Sequence, residues 1–397
     1  MVYVEKTAGG GKGSKTEDAV EEVEGGSAPI VSKSEKMYYV GDSIAVRRDH
    51  FALESPFKDG LVSDWESTDR LWRHGFATLA VDPKEHGILM VEPVYNKRVI
   101  REKHAEIVFE TYESPSFFVS KSAALCCYAN ARGTGAVYDS GGGSTTSCTV
   151  ADGYVVQKSI VRNQLCGRIL DEAMLSAVQK YGNAAAASLR PRYVYTSTKQ
   201  ADASTRIEPT EFPDTHPSYR KYMSLEIGRS IRESLCRCSE KRFDVARSGN
   251  IPTVPYKLPD RSIIDVGVER FLIPEIMFNQ DVFDSRYDFL PAHTMLCSSI
   301  EKSGEMRIRK DLFNNIIVAG GNTCYEGFTD RLHQEIRSRV SRTMRTKVLG
   351  GTSTGHRNVS AWCGGSILAS LDSFSKMWIS KSEYEEHGSS ITDRKCP

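Results

Sequence analysis

Apolar positions from Met37 onward alternate between strand-like runs and helical spacings, whereas the stretch before it carries neither pattern. From Thr7 to Lys36 the residues are mainly Gly, Ser, Lys and Glu with almost no aromatic side chain, a composition that cannot bury enough apolar surface to order itself. A flexible low-complexity segment is therefore expected over residues 1–36. Within it, Gly9-Gly10-Gly11-Lys12-Gly13-Ser14 lacks the GK[ST] order and the preceding apolar strand of a phosphate loop, and is expected to be a linker. Order is expected to begin at Met37-Tyr38-Tyr39-Val40 and to continue as a mixed α/β pattern. Ile107, Val108 and Phe109 close an amphipathic segment that Pro115 ends, and a helix is expected from Lys121 to Tyr128. Between Tyr181 and Pro252, Pro191, Pro209, Pro213 and Pro217 punctuate an insertion-like region whose one helical piece runs from Tyr222 to Cys238. No repeat of fixed period is visible, which sets aside solenoids and propellers.

At 397 residues the chain suits two lobes with sizeable cores better than one. A formal net charge of +1 creates no long-range field toward nucleic acid or an anionic membrane, so direct DNA binding is not the first expectation. No uninterrupted apolar run reaches the roughly 18 residues of a membrane span, and Glu5 and Lys6 precede any signal-like run. A soluble, non-secreted protein without membrane contact is expected. Ten cysteines are scattered along the chain with no CxxC pair; vicinal Cys126 and Cys127, and Cys236 with Cys238, lack the second pair or nearby His that a zinc site needs. They are expected to be buried thiols in a reducing compartment, with no metal.

The chemistry concentrates in two glycine turns. Thr134 to Val156 reads strand, turn, strand, turn, strand, with Asp139 ending the first strand and Gly141-Gly142-Gly143 forming the first turn. Consecutive glycines are expected to use positive φ and aim their N–H groups at one point, a nest for phosphate oxygens. Asp139 is placed to face a nucleotide-bound Mg²⁺ through water. An ordinary hairpin is the alternative. The second turn, Gly320-Gly321-Asn322-Thr323-Cys324-Tyr325, follows the apolar strand Ile316 to Ala319 and precedes a helix with Phe328, Leu332, Ile336 and Val340 on one face. Glycines at such a turn let a flat base approach the backbone, so the pair suggests a nucleotide cleft with one turn on each side.

The run Trp362-Cys-Gly-Gly-Ser-Ile-Leu-Ala-Ser-Leu-Asp-Ser-Phe-Ser-Lys-Met-Trp378-Ile-Ser-Lys-Ser-Glu-Tyr384 is similar to the C-terminal signature of actin, as is the Arg394-Lys-Cys ending. Tyr39-Val-Gly-Asp42, Glu92 through Arg101-Glu-Lys to Phe109-Glu-Thr-Tyr112, and both glycine turns resemble actin in the same order. The chain from Tyr39 to Pro397 is thus identified as a member of the actin superfamily. The resemblance implies a two-lobe α/β fold around a nucleotide cleft: small lobe from residues 37–129, large lobe from 130–359 with the insertion at about 182–252, and the small lobe completed by 360–397. Ala319 to Thr323 followed by Phe328-Thr-Asp-Arg-Leu332, Pro252-Thr-Val-Pro-Tyr256, Arg394-Lys-Cys-Pro397 and the insertion most resemble the nuclear actin-related subunits of chromatin remodelling and histone acetyltransferase complexes.

By that resemblance, nucleotide-binding positions fall at Asp139, Gly141, Gly142, Gly143, Ser144, Gly167, Arg229, Arg232, Glu233, Gly320, Gly321, Asn322, Cys324 and Tyr325. Arg229 and Arg232, three apart on one helix, are expected to face the cleft together, with a solvated surface as the alternative. The family's other phosphate hairpin, a DxG-type turn near the N-terminus, has no counterpart before Tyr39; its loss would leave an unpaired sheet edge, and a misplaced start codon is the preferred explanation. The family's water-positioning Gln falls at Ser122, its second polar residue, a His, at Thr146, and the hairpin's second Asp at Gly142. Hydrolysis of ATP is expected to be negligible, with ATP or ADP and Mg²⁺ a structural ligand if bound. Tyr128, Ile367, Leu368, Leu371, Ser373 and Met377 fall where the family lines a groove for amphipathic helices. The implied function is a non-catalytic nuclear assembly subunit that pairs with actin on a long scaffold helix and meets chromatin or histones indirectly. A polymerising cytoskeletal ATPase is the runner-up. A sugar or acetate kinase of the same fold has no supporting motif.

Overall fold

A computed structural model describes residues 2–4, 38–40, 51–183, 189–199, 205–210, 212–244, 251–282, 289–304, 306–351 and 353–396. Its first sheet departs from the sequence reading: Val2–Val4 (β1) lies between Tyr38–Val40 (β2) and Ala52–Glu54 (β3), antiparallel to both. Order thus reaches into the segment that composition marked as flexible, because three β-forming residues find ladder partners outside it. Thr7 to Lys36 and the phosphate-loop-like run lie outside the described residues. Phe57–Lys58 (β4) and Leu61–Val62 (β5) form a hairpin closed by Asp59-Gly60, with φ of +53° and +75°. Asp-Gly is the sequence that this mirror-image turn favours.

In the small-lobe sheet, Ser116–Lys121 (β7) runs parallel to Ile88–Glu92 (β6) and antiparallel to Ile379–Ser380 (β18). Among the described residues β6 is an edge strand, and its Val91 is exposed. Phe109, Phe117, Phe118, Leu125, Phe374 and Ile379 build the core beneath. The expected helix after β7 spans Ser122–Ala129, and the Ser360–Ala369 helix lies directly on it. Gly364 makes that contact possible, since a Cβ there would collide with the Leu125 carbonyl oxygen. The chain's end is tied back by Arg101, whose guanidinium pairs with fully buried Glu92 and donates to the Cys396 carbonyl at 2.7 Å.

The large-lobe sheet is built on Gly135–Ser140 (β8), antiparallel to Thr145–Ala151 (β9) and parallel to Ile316–Ala319 (β16). Tyr154–Val155 (β10) and Val161–Asn163 (β11) extend β9, and Val348–Leu349 (β17) extends β16. An unbroken Ile-Ile-Val run suits β16 because an interior parallel strand is covered on both faces. Helices Gly167–Tyr181, Ala292–Lys302 and Phe328–Arg339 pack over this sheet and bury Leu170, Met174, Leu296, Phe328, Leu332 and Ile336. The insertion carries the hairpin of Tyr195–Lys199 (β12) with Thr205–Pro209 (β13), and the hairpin of Val254–Lys257 (β14) with Ile263–Val266 (β15) follows it. Its helix spans Pro217–Leu235, starting earlier than expected. Pro217 fits a first helical turn, and the His216 ring accepts from the Ser218 N–H at 3.3 Å.

Among the described residues Arg331 is the largest fully buried side chain, and its surroundings explain how a guanidinium is held there. It pairs bidentately with Glu275 at 2.7 and 2.9 Å, donates to the Ser239 and Lys241 carbonyls at 3.1 and 2.9 Å, and meets Glu335 at 3.0 Å. Glu275→Gln removes the bidentate counter-charge and leaves the buried cation with Glu335 alone, and is expected to lower unfolding free energy by about 3–5 kcal/mol, read as the urea midpoint. The double variant Arg331→Met/Glu275→Leu is expected to recover part of the loss; no recovery would contradict a charge-burial origin.

Candidate functional site

The two glycine turns meet at the C-terminal ends of β8 and β16, which run side by side with Ala319 opposite Asp139. Gly320 has φ +86°, and a Cβ there would collide with the Ser140 carbonyl and stand 2.7 Å from Asp139 Oδ1. Glycine is obligatory at this position for both reasons. The first turn behaves otherwise. None of Gly141, Gly142 and Gly143 has positive φ, contrary to expectation, because the turn closes by the Gly141 N–H donating to the Ser144 carbonyl at 2.9 Å. Gly142 and Gly143 are instead exposed, with open space where a Cβ would stand.

The N-terminus of the Gly167–Tyr181 helix buttresses this turn from behind. The Gly167 and Arg168 amides donate to the Gly141 and Gly142 carbonyls at 2.9 and 3.2 Å. A Cβ at Gly167 would stand 3.1 Å from Gly142 Cα, so glycine there lets the turn come this close without being displaced. Asn322 Nδ2 donates to Ser140 Oγ at 3.1 Å and to the Gly141 carbonyl at 2.9 Å, locking the second turn to the first. Behind Asn322 lies Arg232, buried at 4% exposure. Its guanidinium donates to Asp171 Oδ1 at 2.6 Å, to Asn322 Oδ1 at 3.2 Å and to the Tyr325 hydroxyl at 2.7 Å.

Arg232 is therefore committed to protein partners, while Arg229, three residues before it, is not on the same side. Arg229 faces solvent, paired with Glu233 at 3.0 Å and Glu226 at 3.3 Å. Glu233 is exposed beside it. Gly321 lies near Asn358, whose Oδ1 would stand 3.3 Å from a Cβ at that glycine. Cys324 is half-buried, and burial pushes its thiol pKa up. Ser122 opens the Ser122–Ala129 helix and Thr146 is buried on β9.

Asp139 stands at the junction of the turns, and loss of solvent alone raises its pKa to about 6. A carboxyl so placed favours the company of a cation. Asp171, Asn358 and Arg357, whose guanidinium donates to the Thr323 carbonyl and at 2.9 Å to the Gly350 carbonyl, complete the surroundings and escaped the sequence reading. Polar helix positions give no local signal of such partners; only Asn358 and Arg357, just ahead of the C-terminal signature, stood near a recognisable motif.

The groove residues divide. Ile367, Leu371 and Met377 are 46%, 50% and 37% exposed, Ser373 is exposed and Tyr128 is half-buried. Leu368 is corrected to core: it points inward among Phe118, Leu125 and Phe374. Trp362 on the Ser360–Ala369 helix is exposed at 70% and was not among the expected groove residues. Cys126, Cys127, Cys166, Cys236 and Cys238 are buried, and burial pushes the Cys127 thiol up to about 12. Among the described residues no three His, Cys, Asp or Glu side chains gather as metal ligands.

Comparison with known families matches residues 7–397 to actin. The chain belongs to the actin family. It is 39% identical over 373 residues to actin-related protein 4 of Arabidopsis thaliana, covering 91% of this chain and 83% of that protein. It is 38% identical over 399 residues to actin-related protein 4 of Oryza sativa subsp. japonica, covering 97% of this chain and 89% of that protein. The joined turns of this actin-family chain and the two-lobe α/β fold accord with that membership.

The raised pKa of Asp139 has a stability consequence. Its contribution is fully present below the ordinary value of 3.8 and is lost as pH rises through about 6. Asp139→Asn is therefore expected to stabilise the ligand-free protein at neutral pH by about 1–3 kcal/mol and to flatten the pH dependence of melting between roughly pH 4 and 6. A wild-type pH profile retained in the variant would contradict this.

Proposed function

We propose that this actin-family chain is a non-catalytic assembly subunit of a nuclear chromatin remodelling or histone acetyltransferase complex, pairing with actin on a long scaffold helix. The observation carrying this reading is the exposure of Ile367, Leu371 and Met377, close in sequence, on a chain whose hydrolytic positions hold Ser122 and Thr146. Apolar side chains that adjoin as one patch at the surface mark a docking site. The 38–39% identity to plant actin-related protein 4 supports the placement within the family. Histones and chromatin are met through the complex. No described helix is long and apolar enough to cross a membrane.

ATP or ADP with Mg²⁺ is the proposed ligand of the cleft. Its phosphates would rest over Gly141 to Ser144, Asp139 would face the metal through water, and the base would lie by Gly320, Gly321 and Tyr325. When bound, the metal would neutralise phosphate charge and the Asp139 carboxylate together. Neither Ser122 nor Thr146 supplies the long polar side chain that orients an attacking water. A single-turnover assay with purified protein is expected to release no phosphate above the buffer rate. Turnover comparable to actin, abolished by Asp139→Ala, would favour the cytoskeletal ATPase instead.

The docking reading has its own test. Leu371→Asp, at an exposed position, is expected to abolish pull-down of a basic amphipathic scaffold helix while leaving the melting temperature unchanged. For a central anchor the loss corresponds to about 1–4 kcal/mol. A lowered melt would reassign Leu371 to the core. Failure of the wild type to retrieve actin or any remodeller or acetyltransferase subunit from nuclear extract would remove the chromatin assignment.

A further inference from the structure

The Phe328–Arg339 helix buries Phe328, Leu332 and Ile336 in the large-lobe core, and its Thr329, Asp330 and His333 line an open cleft of about 370 Å³. Thr346, Lys347, Val348, Gly350 and Gly351, around β17, line it too, together with Arg357. Gly350 leaves room there, since a Cβ would stand 2.9 Å from Arg357 Nε and 3.1 Å from Thr329 Cγ2. Arg357 is half-buried, and burial holds its pKa below the ordinary guanidinium value. Its Nε donates to the Gly350 carbonyl at 2.9 Å and one terminal nitrogen donates to the Thr323 carbonyl, which leaves the other terminal nitrogen unpaired among the described residues. Asp330 acts on its charge without closing an ion pair. Lys347, exposed on the same cleft, has no ion pair among the described residues either. His333 Nε2 lies 3.2 Å from the Thr346 carbonyl and 3.0 Å from Thr346 Oγ1. A carbonyl only accepts, so the ring proton sits on Nε2 and the Thr346 hydroxyl keeps its own proton to give elsewhere.

The chain around this cleft is basic over a longer reach. From residue 336 to residue 371 it holds six Lys and Arg and no Asp or Glu, although the whole chain carries a net charge of only +1. Two of the six are committed: Arg337 donates to the Met344 and Arg342 carbonyls at 2.6 and 3.4 Å, and Arg339 pairs with Glu335 at 2.6 Å. Arg342 and Arg345 do not line the cleft. Lys347 and Arg357 thus remain for whatever enters it, against the single carboxylate of Asp330.

We propose that this cleft binds a small phosphomonoester that carries free hydroxyls, of the sugar-phosphate class. The phosphate takes Lys347 and the free terminal nitrogen of Arg357 in charge-assisted hydrogen bonds. Asp330 accepts from a ligand hydroxyl, whereas it repels a bare phosphate ion, and the Thr346 hydroxyl donates to the ligand. No aromatic side chain lines the cleft, so it offers no stacking surface for a nucleotide base. Its volume is at the small end of the range for ligand sites, which suits a sugar. Duplex DNA would need a row of free cations along the surface, and Arg337 and Arg339 do not supply one. Arg357 also ties the cleft to the second glycine turn, because its carbonyl accepts from the Gly320 N–H at 2.8 Å. The assignment is of a second site and does not rest on the nucleotide reading above.

Isothermal titration of the full chain with glucose 6-phosphate at low salt tests the assignment, with glucose, inorganic phosphate and a short DNA duplex as comparisons. Saturable binding of glucose 6-phosphate is expected, roughly tenfold tighter than that of inorganic phosphate, with none of glucose. Lys347→Gln, at an exposed side chain, is expected to weaken it about tenfold while the melting temperature stays unchanged. Lys347 is the deciding variant because Arg357 also holds two backbone carbonyls. Asp330→Ala is expected to erase the preference over inorganic phosphate. Bound glucose 6-phosphate is expected to slow hydrogen exchange at residues 346–351 and 319–324, read by mass spectrometry, equally with and without Mg·ADP. Binding that Mg·ADP abolishes, or that Lys347→Gln leaves intact, puts the ligand elsewhere and overturns the assignment. A protein that takes inorganic phosphate as tightly as glucose 6-phosphate, that binds the duplex alone, or that binds none of these overturns it as well.

Discussion

The contact between Gly320 and the Asp139–Ser140 backbone is the constraint around which the large lobe is arranged. Two parallel strands, β8 and β16, must end at the same level with their turns touching, and only a residue with no Cβ and a free choice of φ permits it. Once that contact exists, Asn322 is carried to within bonding distance of Ser140 and Gly141, and Asn322 in turn gives Arg232 a place to point. Arg232 then fixes the Pro217–Leu235 helix against Asp171 on the Gly167–Tyr181 helix. A helix N-terminus is thereby held under the first glycine turn by a chain of contacts starting from one missing methyl group.

Among the described residues Arg101, Arg331 and Arg232 are buried with carboxylate partners, and each is compensated differently. Arg101 pairs with Glu92 and catches the carbonyl of Cys396, closing the chain's end onto the small lobe. Arg331 neutralises Glu275 and gathers loop carbonyls from Ser239 and Lys241. Arg232 shares itself among a carboxylate, an amide and a phenol. Because a guanidinium offers five donors in a plane, one side chain orders several loops, at the cost of a large penalty if any counter-charge is removed. The cleft is rigid behind the turns for this reason. Its open side, at Gly142 and Gly143, has no such support.

The positions of both turns, the strands leading into them, the apolar stripe after Gly327 and the C-terminal signature could be read from the sequence, because each is local or periodic. What could not be read depends on distant partners. The spacing of Arg229 and Arg232 suggested a shared face, yet one is buried and the other solvated, since a separation of three leaves enough angle for packing by Asp171 and Tyr325 to separate them. Leu368 follows Ile367 in a run whose apolar face serves both core and groove, and only the position of Phe374 and Leu125 decides that it points inward. The triple glycine suggested positive φ, whereas its actual service is exposure. Val2–Val4 had no visible partner in its own neighbourhood.

Thermal melting of Gly320→Ala, with and without Mg·ADP, tests most directly the claim that one glycine contact underlies both the fold of the large lobe and its proposed ligand. The variant is expected to melt at a markedly lower temperature and to lose the upward shift that Mg·ADP gives the wild type. A variant that melts with the wild type, or that is stabilised by Mg·ADP to the same extent, would contradict the claim.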